Sequence, residues 1–213
     1  MSRSHLPKPP APEELDLLIE EWAAEREFVR CHSSAYGATE FNATRGPGRF
    51  RPFTANRRTV PTLYGAEGFE AALSETVFHD VPVAGPDRQI LISSLLPWLR
   101  SMLAPTRTLR LVDLRGFGLG RIGATRAKLI DSPASEYATT ARWADALYQS
   151  PSQPDGLLWT SRQYDRQAAL ILFGTRVARR ELRIVDPPLP LALGEGLEAV
   201  RAAAETAGIM IVE

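Results

Sequence analysis

The sequence predicts an α+β fold, a single compact domain of mixed sheets with flanking helices, on three observations. Short apolar runs bounded by turn residues recur at 28–32, 62–66, 109–114, 156–160, 168–173 and 182–185, the punctuation of strands. Apolar residues at helical spacing appear at 13–26, 69–79, 137–148 and 195–207. The two kinds do not alternate in a regular βαβ rhythm, which favours α+β over a doubly wound sheet. At 213 residues the chain suits one domain, long enough to bury roughly 70% of its unfolded surface.

Taken in order, residues 1–12 are polar and carry four prolines, unlike the charged-then-apolar pattern of a secretory signal, so a cytoplasmic protein is expected. Residues 13–26 put Leu15, Leu18, Ile19 and Trp22 on one helical face, with Pro12 suited to the first turn. The expected organisation is therefore a Pro-rich tail and helix over 1–27 and the main domain over 28–213. A strand at 28–32 leads into a loop over 33–61 rich in Gly, Asn, Thr and Pro, long enough that function or a partner is expected to order it.

The strand at 62–66 is followed by a helix over 69–79 with Phe69, Ala72, Leu73, Thr76 and Val77 as its buried stripe, and with Glu75 and His79 on one flank. Strands at 89–92 and 109–114 flank a helical stretch around 96–103. The chain closes on the 195–207 helix and an apolar end at 209–212.

Composition excludes several classes. The 25 basic and 25 acidic residues cancel, which is not the positive footprint of a general nucleic-acid binder. No apolar run approaches the roughly 20 residues of a membrane-spanning helix. One cysteine, Cys31, and three scattered histidines form no disulfide framework and no metal-ligand pattern, so no metal is expected. Only Lys8 and Lys128 are lysines; the other cations are arginines, whose planar fork pairs bidentately with phosphate or carboxylate.

Gly118, Gly120 and Gly123 spell G-x-G-x-x-G after the 109–114 strand. A dinucleotide-binding turn also needs a helix opening at the last glycines and a second strand ending in an acid roughly 20 residues on. Here Ala-Thr-Arg-Ala-Lys-Leu-Ile-Asp-Ser-Pro follows Gly123 and no strand precedes Glu136, so the motif reads as a flexible loop. No P-loop, G-x-S-x-G elbow or H-E-x-x-H is present.

Four stretches form a more specific series: Phe-Val-Arg30-Cys-His; Gly48-Arg49-Phe50; Thr62-Leu-Tyr64-Gly-Ala with Ala71-Ala-Leu-Ser-Glu75; and Gly156-Leu-Leu-Trp-Thr-Ser161-Arg162. Read together, from about residue 28 to 185, they resemble the RES-domain family. The resemblance implies a fold like that of ADP-ribosyltransferase toxins, NAD as substrate with inorganic phosphate as a possible co-substrate, no cofactor, and growth arrest through loss of NAD. It also implies an Xre-like antitoxin as partner, with nucleic acid reached only through that antitoxin, and leaves a homodimer open. By position Arg30, Tyr64, Glu75 and Ser161 match the family's active-site arginine, tyrosine, glutamate and serine, and Arg49 matches the arginine of its glycine-arginine-aromatic loop. Two departures stand out: Arg51 follows Phe50 where the family prefers a small polar residue, and the stretch between His79 and Leu109 is extended.

Chemistry gives separate reasons for these residue types. Cleaving the nicotinamide–ribose bond builds oxocarbenium-like charge, which a carboxylate stabilises; Glu75 is the candidate, and it could equally bind a ribose hydroxyl or orient the incoming phosphate or water. A diphosphate calls for an arginine fork, and Arg30 fits because strand alternation sets it opposite Val29 and Cys31. Five arginines (Arg45, Arg49, Arg51, Arg57, Arg58) and no acid lie between Phe41 and Ala66, a field that attracts an anion or an acidic antitoxin segment. Tyr64 can stack on a planar ring or donate a hydrogen bond, and Ser161 can position nicotinamide or a phosphate. His32 and His79 lie outside the series and read as structural, and Cys31 as a small core residue. The leading function is thus NAD phosphorylase or NAD glycohydrolase activity in the toxin of a toxin–antitoxin pair. The alternatives are ADP-ribose transfer to a protein and a non-catalytic binding module.

Overall fold

A computed structural model describes residues 6–44, 48–50 and 52–213. Twelve strands and six α-helices are assigned among them. The strands are β1 (Ile19–Trp22), β2 (Phe28–Ser33), β3 (Phe53–Ala55), β4 (Arg58–Val60), β5 (Thr62–Ala66), β6 (Gln89–Leu91), β7 (Trp98–Pro105), β8 (Leu109–Asp113), β9 (Gly156–Thr160), β10 (Ala168–Phe173), β11 (Leu182–Pro190) and β12 (Met210–Val212). The helices are α1 (Phe69–Ser74), α2 (Ile92–Leu95), α3 (Gly116–Arg121), α4 (Arg126–Leu129), α5 (Tyr137–Gln149) and α6 (Gly194–Ala207). The α+β expectation holds.

Eight strands form one mixed sheet in the order β1-β8-β9-β10-β5-β2-β7-β11, with β8 and β9 parallel and the other neighbours antiparallel. This order forces the sheet to curl. β7 and β8 lie five positions apart, about 24 Å across a flat sheet, yet residues 106–108 alone connect them and reach at most about 14 Å. Trp22 of β1, Leu109 and Leu111 of β8, Leu103 of β7 and Leu182 of β11 accordingly meet Leu63, Leu158 and Leu170 of the central strands in one apolar cluster inside the curl. The outer face carries the larger core, where Leu157, Trp159, Ile171 and Phe173 pack with residues of α1, α5 and α6. β9 and β10 are buried on both faces, which is why they read as unbroken apolar runs.

Three sequence expectations are corrected. Residues 13–26 are not a helix: a single 3-10 turn at Pro12–Glu14 is followed by β1, paired with β8 from Ile19↔Val112 to Trp22↔Leu109. A helix would aim Leu15 and Trp22 at one place, whereas the extended chain sends Leu15, ahead of β1, to the outer core and Trp22, at its end, into the curl. Residues 96–103 are also not helical. They belong largely to β7, which exchanges six registered pairs with β2 and a further set with β11, a long-range pairing that outweighs local spacing. Finally, α1 stops at Ser74 instead of 79, where Thr76 Oγ1 donates to Ala72 O at 2.6 Å and Phe78 N–H reaches back to Leu73 O.

The 33–61 stretch contains the hairpin β3–β4, whose turn residues Asn56 and Arg57 both have positive φ (48° and 63°), the type I′ geometry suited to two-residue hairpins. The glycine motif is likewise helical in part. Gly118 and Gly120 lie within α3, and a Cβ at Gly118 would stand 1.8 Å from Asp113 O.

Candidate active site

Glu75 caps the C-terminal end of α1, which packs across β2, β5 and β10. Its side chain is 7% exposed. Oε1 accepts two hydrogen bonds, from Ser161 Oγ and from Arg162 N–H, each 2.8 Å long. Ser161 follows β9, is fully buried, and is held in turn by its N–H to Gln167 O (3.1 Å) and by Arg126 Nη2 on its carbonyl (3.1 Å). One carboxylate oxygen is therefore fixed by the strand end, and among the described residues Oε2 accepts no hydrogen bond.

Facing Oε2, at 4.0 Å, is Nη1 of Arg49, itself 4% exposed. The loop carrying Arg49 is pinned on both sides. Phe50 is wholly buried against Trp159, with ring centroids 5.3 Å apart, and donates its N–H to the Tyr64 hydroxyl at 3.1 Å. From α5, Thr140 Oγ1 donates to Arg49 O, and the Tyr137 ring lies 6.0 Å from the guanidinium carbon. Burial holds the Tyr64 phenol well above the ordinary tyrosine range, with the Phe50 N–H opposing, so its hydroxyl keeps a proton to donate.

Among the described residues, Arg49 Nε and Nη2 are both buried without a hydrogen-bond partner. These two nitrogens form one edge of the guanidinium fork. Elsewhere in the molecule the same edge is filled: Arg115 grips Asp113 with it at 2.7 and 3.0 Å, and Arg121 grips Asp16. An unpaired buried donor costs about 1–3 kcal/mol, more when charged, and a planar guanidinium edge of this kind is chemically suited to a bidentate anionic acceptor.

Four of the five residues singled out from the sequence, Glu75, Arg49, Tyr64 and Ser161, thus come together. Arg30 does not join them. Val29 pairs with Ala66, so Val29, Ala66 and Tyr64 share one face of the sheet and Arg30 points to the other. There it is 6% exposed and donates to the carbonyls of Gly37 and Ala38, while burial lowers its pKa to about 10. The arginine field is not one surface either: Arg49 is buried, Arg57 and Arg58 are exposed on the hairpin, and Arg45 and Arg51 lie outside the described residues.

His32 is buried against Ser101 Oγ (2.9 Å), and burial followed by the nearby Arg30 charge lowers its pKa. Cys31 sits in the core, where burial pushes its thiol up to about 12. His79, four positions after Glu75, reaches the Tyr137 that lies beside Arg49: Nε2 is 3.2 Å from the Tyr137 hydroxyl and Nδ1 is 2.8 Å from Asp80 Oδ1. Sequence reasoning missed Tyr137, Thr140, Arg126 and the Arg162 N–H, since a clamp on a neighbouring loop and a main-chain donor leave no motif.

The family model of the RES domain matches residues 27–193, from just before β2 to just before α6. No curated protein matches the sequence. Among solved structures, a chain of the crystal structure of the M. tuberculosis MbcT–MbcA toxin–antitoxin complex aligns with a TM-score of 0.60 at 17% identity, covering 86% of this chain and 92% of that one. At that identity the likeness concerns the fold.

Proposed function

This chain belongs to the RES-domain family, and from that premise we propose that it is the toxin of a toxin–antitoxin pair that breaks the nicotinamide–ribose bond of NAD. The observation that carries the proposal is the buried Arg49 fork, open on its Nε and Nη2 edge, facing the Oε2 side of a Glu75 carboxylate whose other oxygen is anchored. NAD supplies what each group lacks. Its diphosphate is a bidentate acceptor for the fork, and its ribose gains positive charge as nicotinamide leaves.

In this reaction Glu75 Oε2 stabilises the oxocarbenium-like ribose. Ser161 Oγ and Arg162 N–H keep the carboxylate aimed, and Tyr64 holds the arginine loop while offering its own proton to a substrate oxygen. Water or inorganic phosphate then takes the place of nicotinamide. The M. tuberculosis neighbour was solved as a toxin–antitoxin complex, which supports an antitoxin as partner here, and the family resemblance makes that partner Xre-like. No helix among the described residues is long and apolar enough to cross a membrane.

The test has two arms. Purified protein is incubated with NAD, with and without phosphate, and products are identified by mass: free nicotinamide with ADP-ribose marks hydrolysis, with its phosphorylated form phosphorolysis. Expression of the chain alone should arrest growth as cellular NAD falls. Arrest at constant NAD, together with intact NAD in the tube, defeats the proposal.

A further inference from the structure

Beside the Glu75 group, and not lined by it, lies a separate cavity of about 500 Å³, within the range of roughly 300–1,000 Å³ typical of small-molecule sites. Its charged lining comprises Arg88, Arg126, Arg162 and Arg166 against Glu70 and Asp165, an excess of two positive charges. Arg126 is engaged, with Asp131 at 3.4 Å and with Ser161 O. Among the described residues Arg88, Arg162 and Arg166 form no ion pair, and Arg88 Nε is buried without a partner. The rest of the wall is largely apolar and partly aromatic, with Phe78, Tyr164, Ala203, Ala207 and Ile209 among its residues.

Part of this cavity comes from outside the segment that the family model matches. Ala203, Thr206, Ala207 and Ile209 belong to α6 and the turn after it, beyond the matched residues 27–193. The parallel pairing of β12 with β6, Met210↔Gln89 to Val212↔Leu91, brings that segment against Arg88. Arg88 and Val83 in turn lie in the extended stretch after His79. The end of the chain and the stretch after His79 are thus zipped together to close a cationic, half-apolar chamber.

We infer that this chamber binds a phosphate-bearing nucleotide, its phosphate among Arg88, Arg162 and Arg166 and its planar base against the apolar wall. Bare phosphate would satisfy the arginines alone and leave that wall unused. Because the main-chain N–H of Arg162 holds Glu75 while its side chain lines the chamber, an occupant would touch the frame of the Glu75 group without contacting the carboxylate.

The experiment is calorimetric titration of the full chain with AMP, inorganic phosphate and adenosine. AMP should bind, and adenosine at least about tenfold more weakly, the worth of one to two charge-assisted hydrogen bonds. AMP binding tighter than phosphate identifies a nucleotide as the occupant, and equal affinity for the two identifies free phosphate as the source of the same chemistry. Arg88→Gln should weaken AMP binding about tenfold, as should Thr206→Glu, which adds a carboxylate at an exposed helix position and keeps the test valid if the Arg88 variant fails to fold. Arg57→Ala, on the remote hairpin turn, should bind normally. The inference is overturned if neither AMP nor phosphate binds, or if the folded Thr206→Glu protein binds AMP like the wild type. Binding is read without turnover, and Glu75→Gln should leave it unchanged, so failure here and failure of NAD cleavage are separate results.

Discussion

Ser161 Oγ and Glu75 Oε1, 86 positions apart in sequence, meet at 2.8 Å and tie the end of β9 to the end of α1. The bond does more than join two elements. With the Arg162 N–H on the same oxygen, it leaves Oε2 as the one acceptor the carboxylate can offer a substrate.

Replacing Glu75 with Gln keeps shape and most hydrogen bonding but removes the charge. Turnover at saturating NAD should fall about a hundredfold or more, roughly 3 kcal/mol of transition-state stabilisation, with little change in affinity. Normal turnover in a folded Glu75→Gln protein would remove Glu75 from the reaction.

Arg49→Met should test stability and function together. The substitution takes out a guanidinium with two nitrogens unpaired among the described residues, but it also strips the buried Glu75 carboxylate of the cation 4.0 Å from Oε2, and removing one partner of a buried pair is destabilising. The variant should fold but melt below the wild type, and NAD binding should weaken at least about tenfold. A large drop in melting temperature with binding retained would make Arg49 a structural residue.

Arg30→Ala, in contrast, should act through folding. Its bonds to the Gly37 and Ala38 carbonyls lie on the opposite sheet face from Tyr64, so their loss should cost about 2–3 kcal/mol in denaturant unfolding. Arg57→Ala should stay within about 0.5 kcal/mol. A stable Arg30→Ala protein that no longer binds NAD would return Arg30 to the site.

The buried His32 sets an acid limit. Its folded pKa lies below the ordinary value of about 6.5, so between those two values the unfolded chain holds a proton that the folded chain refuses. Stability is then complete above the ordinary value and is lost as pH falls toward the folded one. Melting curves between about pH 7.5 and 5 should show a shallower acid decline for His32→Gln than for the wild type; parallel declines would assign the acid sensitivity to other groups.

The glycine motif splits in two. Gly118→Ala would drive a Cβ into Asp113 O and should cost at least about 3 kcal/mol. Gly120, also in α3, has nothing within 4 Å of a built Cβ, and Gly120→Ala should gain about 0.5–1 kcal/mol. Equal effects in chemical denaturation would contradict the close approach at Gly118.

Most of the central sheet was legible in the sequence. β2, β5, β8, β9 and β10 are buried, β-branched or apolar runs whose neighbours are turn residues, so local pattern and tertiary need agree. β1 and β7 were not legible, because their apolar residues fall at helical spacing while their partners, β8 and β2, lie far along the chain. The β3–β4 hairpin lacks the usual glycine, its turn being Asn56-Arg57. In the site, residue types with a chemical signature were found, whereas Thr140, Tyr137 and the Arg162 N–H act by position alone. The strand alternation that separated Arg30 from Val29 was correct, but which face the substrate group occupies depends on the Val29↔Ala66 register.

That same register marks a line of weakness. Every other seam of the curled sheet is closed by three or more registered pairs, yet β2 and β5 share the single pair Val29↔Ala66. Local opening begins where backbone hydrogen bonds are fewest, so the sheet should breathe there as two leaves, β2-β7-β11 and β5-β10-β9-β8-β1, turning about one pair of residues. Tyr64 and the arginine loop ride on one leaf, and α1, carrying Glu75, leans across both. Amide exchange should be earliest along that seam, and an occupant spanning carboxylate and fork would act as a rivet between the leaves.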